Sequence, residues 1–296
     1  MTDGIVHGAA GGLTVGDSQP NDRPVRLLRR TTRIGGRLLA IPVALVFIFP
    51  VFWMALSSFK SQREAFTVPP TYLPETPSIQ AFASVLRDTD FLVYVRNSSI
   101  VGVVTTALVL CLSTMAVFSL SRVRVPGAEF LARSTLVFYA MPPILLVVPV
   151  VQVFLTIGLV DSITSLIVAY TALYLPLGVW LLRGYFSGLD PAPEEAALLD
   201  GLSQFRAFAR IGLRQALPGL AIVAFFTFNA TWNEYLYASL LIQSNENLTM
   251  SAGLSTFIGA IAIYSWPMLM AAGIMAVLPI FLFYLLIERR ARRAIL

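Results

Sequence analysis

Apolar residues in this chain run on in long blocks rather than alternating with polar ones. Six blocks stand out: Leu38 to Phe59 (22 residues), Asn97 to Ser121 (25), Ser134 to Val160 (27), Ser162 to Leu182 (21), Gln215 to Asn245, and Asn247 to Ile287 (41). Only the fifth holds a charged residue, Glu234. About 20 apolar residues wound as a helix cross the ~30 Å hydrocarbon layer, where backbone polar groups have to be satisfied inside the protein. The pattern therefore predicts an all-α membrane protein. The last block is long enough for one helix or two. Its first part, Ser251 to Trp266, has 16 residues and includes Ser251, Gly253, Ser255, Thr256 and Gly259. It reads as a re-entrant or interfacial segment, which leaves Pro267 to Ile287 as the last span and gives six transmembrane helices. The first block begins late and is too long for a cleaved signal peptide. Pro42 and Pro50 are expected to bend it.

The charges orient this arrangement. With the N-terminus inside, 17 of the 21 Lys and Arg residues fall on inner segments, and only Lys60, Arg63, Arg87 and Arg96 fall outside. That asymmetry follows the positive-inside rule, and a seventh span would place the Arg-rich C-terminus outside. Residues 1–37 are rich in Gly, Asp, Ser and Arg and carry no apolar period; they read as a disordered, basic cytoplasmic tail ahead of a membrane domain over 38–296. The first outer segment contains Pro69, Pro70, Pro74 and Pro77, then a short amphipathic stretch from Ser78 to Leu86.

Composition removes several function classes. The chain is 57% hydrophobic and 12% charged, with a mean hydropathy of +0.76. The net charge of +5 collects at the ends of apolar blocks, which does not fit nucleic-acid binding. One Cys, Cys111, and one His, His7, supply neither a structural zinc site nor a Cys/His nucleophile pair. Cys111 is expected to pack as a small hydrophobe, and His7 to sit solvated in the tail. Apart from Glu234 the spans hold no carboxylate, so an intramembrane enzyme is disfavoured. The absence of an internal repeat and of charged relay residues disfavours a single-chain secondary transporter.

One charged loop interrupts the apolar chain, from Gly184 to Pro218. Asp190 suits a helix cap, with Pro191 at the first helical position. Glu194 and Glu195 then lie near the positive end of the helix dipole, and Gly201 suits its end. Ser203 is placed to cap a second helix that Pro218 limits. At about 100° per residue, Phe205, Phe208 and Gly212 share one face of that second helix, and Arg206, Arg210 and Arg214 share another. An interfacial helix with its arginines among lipid headgroups has the same pattern. The Gly201 elbow points instead to a helix pair that fits a partner's groove.

These residues resemble a known family. Glu195-Ala196-Ala197, then Gly201, then Ile211 and Leu213 resemble the EAA motif of binding-protein-dependent ABC importer permeases. Within that family the chain is similar to the second membrane subunit of maltose-type carbohydrate importers. The similarity is carried by Asn97-Ser98, Ser121-Arg122, Pro126-Gly127, Pro142-Pro143 with Pro149, Gly158-Leu159, Leu182-Arg183-Gly184, Trp232-Asn233-Glu234, Trp266 and Pro279, and covers about residues 38 to 290. The motif departs from the family at Arg214, where Leu-Pro is usual after the isoleucine, and Phe118 stands where Tyr is usual.

The resemblance implies a type I ABC importer transmembrane domain, a six-helix permease domain that is not an enzyme. Its loop 184–218 would be a cytoplasmic coupling helix in the groove of a separate ATPase. Glu195 would pair with a basic group there, Ala196 and Ala197 would permit close approach, and Gly201 would make the turn, with Asp200, Phe205, Phe208 and Arg210 beside them. The chain has no phosphate-binding Gly-x-x-x-x-Gly-Lys-Ser/Thr motif, so no cofactor is expected on it, and ATP and Mg would belong to the ATPase. The implied partners are an ATPase dimer, a second homologous permease subunit, an extracytoplasmic sugar-binding protein and membrane lipid, in a prokaryotic inner membrane with both termini cytoplasmic. The cargo would be a di- or oligosaccharide or a related polyol. Asn229, Trp232 and Asn233 fall near one face of the fifth span, as a sugar-lining surface or as contacts to the second permease. Gly253, Tyr264 and Trp266 would meet the binding protein, or the two aromatics would belong to an interfacial belt.

Overall fold

A computed structural model describes the backbone of residues 23–123, 127, 130, 134, 137, 141–260 and 265–295, and the side chains of 41–123, 127, 130, 134, 137, 141–259 and 265–289. The chain divides into two units, Met1–Val51 and Phe52–Leu296. Residues 1–22, with His7, and Arg124, Pro126 and Arg133 lie outside the described residues.

Among the described residues every regular element is helical. The apolar helices are α1 (Arg23–Ser58), α4 (Phe91–Phe118), α5 (Pro143–Thr156), α6 (Ile163–Ser187), α10 (Leu217–Asn233) and α13 (Trp266–Ile295). Two short helices, α2 (Gln62–Ala65) and α3 (Gln80–Arg87), follow α1. Between α6 and α10 lie α7 (Ala192–Leu199), α8 (Gln204–Ala207) and α9 (Leu213–Gln215); between α10 and α13 lie α11 (Leu236–Leu241) and α12 (Met250–Ala260). By length and apolarity four segments qualify as spans: Ile41–Ser58, Phe91–Val123, Ile163–Ser187 and Trp266–Arg289. A fifth qualifies if Gln204–Gln215 and Leu217–Asn233, bent by 73°, count as one, and Pro143–Thr156 is a shorter apolar helix. The fold is thus all-helical and multi-pass. Helix α1 starts at Arg23 rather than at the expected Leu38, and α13 continues past Ile287.

Local chemistry sets the boundaries. Pro143 opens α5 and Pro218 lies in the first turn of α10, where a missing N–H costs no helical bond. The Ser162 hydroxyl caps α6 by accepting the Ser165 N–H at 3.2 Å. The amphipathic stretch expected at Ser78–Leu86 forms α3.

Helix α4 is central in the second unit and packs against α6 and α10, while α10 also packs on α13. Glycines make these approaches possible. A Cβ at Gly102 would stand 2.8 Å from the Phe228 ring, one at Gly178 would stand 2.8 Å from Val109, and one at Gly219 would stand 2.5 Å from the Tyr185 ring. Phe228 fills the space beside Gly102 and stacks on Phe283 of α13 at 3.8 Å, so one ring joins α4, α10 and α13. Small residues at helix contacts are the expected device where lipid removes the hydrophobic drive for helices to associate. Cys111, expected to pack as a small hydrophobe, is exposed on the apolar surface of α4.

Gly219→Ala should lower stability by about 1–3 kcal/mol, because the Tyr185 ring has to leave its place. The unfolding midpoint of the purified protein in detergent measures this. An unchanged midpoint would show that the α6–α10 contact does not depend on that clearance.

Candidate functional site

The Gly184–Pro218 loop is a compact elbow. The Asp190 side chain accepts the Ala192 N–H at 3.0 Å and so caps the start of α7. The far end closes with two backbone bonds, Leu202 N–H to Ala197 C=O at 3.0 Å and Gly201 N–H to Leu198 C=O at 3.1 Å. This is the Schellman pairing, which needs a left-handed residue after the helix. Gly201 supplies it with φ +88°, and an added Cβ there would meet nothing within 4 Å. The requirement for glycine is conformational, not spatial.

Helix α7 is two-sided. Glu194 and Ala197 are buried, while Glu195, Ala196, Leu198, Leu199 and Asp200 are exposed. Leu199 is 90% exposed, an unusual position for a large apolar side chain. Glu194 meets Arg122 in a two-point ion pair, Nε to Oε2 at 2.9 Å and Nη2 to Oε1 at 2.8 Å. Side-on arginine–carboxylate pairs of this kind fix both distance and orientation. Arg122 is a quarter exposed, which puts the cost of losing one partner below the ~3–5 kcal/mol of fully buried pairs. Gly212 lies beneath: a Cβ there would stand 2.4 Å from Glu194 Oε1. The Gln204 side chain adds a bond to the Arg122 carbonyl at 3.2 Å.

Two π-helical turns build this junction. Ser119–Val123 carries Arg122, and Phe208–Gly212 carries Gly212. Such wider turns are uncommon inside helices and occur mostly at functional sites. Phe118, Phe186 and Phe208 fill the space beside them, with ring centroids 5.0 Å and 5.2 Å apart, and Phe205 joins edge-on to Phe118 at 5.6 Å. Of the residues singled out from sequence, Glu195, Ala196, Asp200, Gly201, Phe205 and Arg210 are exposed, whereas Ala197 and Phe208 turn inward. Ser203 precedes α8 but makes no side-chain capping bond. The chain bends at Ala216, just before Leu217-Pro218, rather than after Leu213. Sequence reasoning missed Glu194 as the inward carboxylate, because its partner Arg122 lies 72 positions earlier in the chain.

The opposite end of the bundle carries a second polar network. Asp161, at φ +50°, accepts the backbone N–H of Ser244 at 2.9 Å and of Gln243 at 3.0 Å, and the Ser244 hydroxyl at 2.9 Å. The Asn247 amide donates to the Asp161 carbonyl at 2.7 Å. From α4, Asn97 donates to the carbonyls of Glu246 and Leu248 at 2.8 and 2.9 Å, and Ser98 accepts the Met250 N–H at 2.6 Å. The segment 243–250 is thereby stapled to α4 and to the start of α6. Gly253 is buried against the Tyr94 ring, 2.3 Å from an added Cβ, so its position is internal packing rather than a partner-facing surface. Tyr264 lies outside the described residues. Trp266 is 38% exposed, and its backbone N–H donates to Gln62 Oε1 at 2.7 Å.

The three polar positions on the fifth span separate. Asn233 is exposed and donates to the Asn229 backbone and side-chain oxygens at 2.7 and 3.2 Å. Trp232 is buried, stacked on Phe228 at 5.7 Å, and does not share their surface. Glu234 accepts the Tyr170 hydroxyl at 2.5 Å and the Tyr237 and Ala238 N–H groups at 3.0 and 3.3 Å. It caps α11 where the chain breaks after α10. Among the described residues no group of three or more His, Cys, Asp or Glu converges as a metal site.

Residues 113–294 match the family model described as binding-protein-dependent transport system inner membrane component. The inner membrane ABC transporter permease protein YcjP of Escherichia coli is 32% identical over 263 residues, 88% of this chain and 94% of that one. The diacetylchitobiose uptake system permease protein NgcG of Streptomyces coelicolor is 31% identical over 88% of this chain and 86% of its own. The trehalose/maltose transport system permease protein MalG of Thermococcus litoralis is 28% identical over 89% and 94%. In fold, the chain matches a solved bacterial ABC transporter involved in the import of the acidic polysaccharide alginate, with a TM-score of 0.72 and 22% identity, covering 92% of this chain and 98% of that one.

The Asp161 network sets a pH dependence. The backbone N–H groups of Ser244 and Gln243, in that order, hold its carboxyl below the ordinary 3.8, against a smaller opposing effect of desolvation. A depressed folded value means the stabilisation is fully present above 3.8 and is lost as pH falls through the lower folded value. Segment 243–250 should therefore open to limited proteolysis in acid below about pH 4 in the wild type. In Asp161→Asn it should already be more open at pH 7. Equal cleavage of the two proteins at pH 7 would rule the staple out.

Proposed function

The chain belongs to the family of binding-protein-dependent transport system inner membrane components, and from that premise we propose that it is the permease subunit of a carbohydrate importer, driven by a separate ATPase docked on the elbow. The observation that carries the docking reading is the two-sided α7. One side is committed to Arg122, and the other presents Glu195, Ala196, Leu199 and Asp200 outward on a helix held rigidly at both ends. A short helix fixed in this way converts closure of an ATPase pair into rigid-body movement of the helices that flank it. The sugar reading rests on relatives whose names specify diacetylchitobiose and trehalose/maltose uptake. ATP and Mg are handled by the ATPase, and an extracytoplasmic binding protein delivers the sugar to the end bearing segment 243–250 and Trp266. The excess of Lys and Arg on the elbow side supports a cytoplasmic elbow and cytoplasmic termini, in a prokaryotic cell.

Asn229 and Asn233 are the side chains we assign to the sugar path. Their adjacent amides offer the donors and acceptors that hydroxyl groups require, and Asn233 is exposed where Trp232 is not. A second homologous permease completes the path across this face.

Two substitutions test the reading. Leu199→Asp should cut ATPase co-purification by at least about tenfold, since burying a leucine is worth ~1.5–3 kcal/mol and tenfold is 1.4. Gly201→Val forces a branched residue to positive φ at a cost of about 1–3 kcal/mol, and uptake of the sugar held by the cognate binding protein should fall. If the wild-type chain, expressed with its genomic neighbours, never brings down an ATPase, the proposal fails.

A further inference from the structure

The elbow is joined covalently to α6 on one side and, through α8 and α9, to α10 on the other. Helix α4 is not adjacent to it in sequence: Arg122 and Glu194 are 72 positions apart. Yet α4 is the helix on which α6 and α10 both pack. We propose that the Arg122–Glu194 pair is a strut that makes α4 move with the elbow, so that docking movement reaches the centre of the bundle directly and not only through its flanking loops. This rests on the docking reading above and assigns transmission to residues that face away from the docked surface.

Four observations converge on it. The pair is two-point and side-on, with both bonds under 3 Å, so it resists rotation as well as separation. Glu194 is 6% exposed and is therefore unavailable to an ATPase. Gly212 leaves the carboxylate its space, since a Cβ would approach to 2.4 Å. The Arg122 side of the contact is a π-helical turn ending α4, and a second π-helical turn, in the second elbow helix, carries the Gly212 beneath Glu194. A pair needed only for surface solubility would call for none of this. The Gln204 bond to the Arg122 carbonyl and the Phe118–Phe208 contact brace the same junction.

Arg122→Gln removes the charge and the fork. Gly212→Ala keeps both charges but displaces the carboxylate. The test uses the full complex with its ATPase and second permease. Cys111→Ser removes the native thiol, and nitroxides are placed at Met115→Cys on α4 and Ala192→Cys on α7, both exposed positions. Distances are read before and after trapping with MgATP and vanadate. In the otherwise wild-type complex the Met115–Ala192 separation should stay constant, because the two elements travel together. In Arg122→Gln and Gly212→Ala it should shift or spread by more than about 2 Å, the size of helix shifts in coupled transitions. The double reversal Arg122→Glu with Glu194→Arg should narrow it again.

A separation that changes on trapping in the wild type would overturn the strut. So would mutants that move no more than the wild type. Loss of the ATPase from both mutant complexes, or failure of both to form a monodisperse complex, would make the pair a determinant of docking or folding and would equally overturn transmission. Each of these leaves the docking proposal standing, whereas a wild-type chain that binds no ATPase defeats the docking proposal itself.

Discussion

The close approach of α4, α6 and α10 is the constraint on which the rest of the second unit depends. In a bilayer, apolar side chains gain nothing by leaving lipid for one another, so helices are held by fit and by polar bonds between them. Gly102, Gly178 and Gly219 provide the fit, each receiving a bulky neighbour from the facing helix. With these three helices at fixed spacing, the two ends of α4 become fixed platforms. Each end carries a polar network that ties a distant loop: Asn97 and Ser98 hold segment 246–250, and Arg122 holds the elbow.

The two platforms differ in chemistry. At the Asn97 end the bonds run from side chains to backbone groups of a loop, which satisfies irregular backbone that would otherwise be costly to bury. At the Arg122 end the main bond is ionic and joins two side chains. An ion pair of fixed geometry carries load in both directions, whereas amide bonds to a loop chiefly fix its shape. Leu199 stands exposed on the side of α7 that faces away from Glu194. The elbow's exposed side is therefore braced from behind by α4 through Arg122.

Much of this was legible in the sequence, for reasons that are physical. Uncharged blocks of 21 residues or more have no stable place in a soluble protein, so the helices announced themselves. Asp190-Pro191 and Gly201 marked the elbow because cap and left-handed residue are local requirements that only a few residue types meet. What was not legible depends on tertiary geometry. A π turn inserts one residue into a helical register and leaves no compositional trace. The choice between Glu194 and Glu195 as the inward carboxylate turns on the position of Arg122, 72 residues earlier. Helical angles placed Trp232 with Asn229 and Asn233, yet packing against Phe228 draws the indole into the core. The Asp161 staple was missed because its partners are backbone groups more than 80 positions away.

Glu234 shows why a carboxylate inside an apolar block is not by itself a sign of transport chemistry. The helix that begins at Leu217 stops at Asn233, and α11 restarts at Leu236, leaving N–H groups at the break without helical partners. Lipid offers no donor or acceptor to repair such a break. Glu234 repairs it, accepting two of those N–H groups and the Tyr170 hydroxyl, while its own carbonyl accepts the Ser251 hydroxyl. Three donors of this chain, the Tyr170 hydroxyl and the Tyr237 and Ala238 N–H groups, hold the carboxylate at the break. The break is thus a fixed corner between α10 and α11.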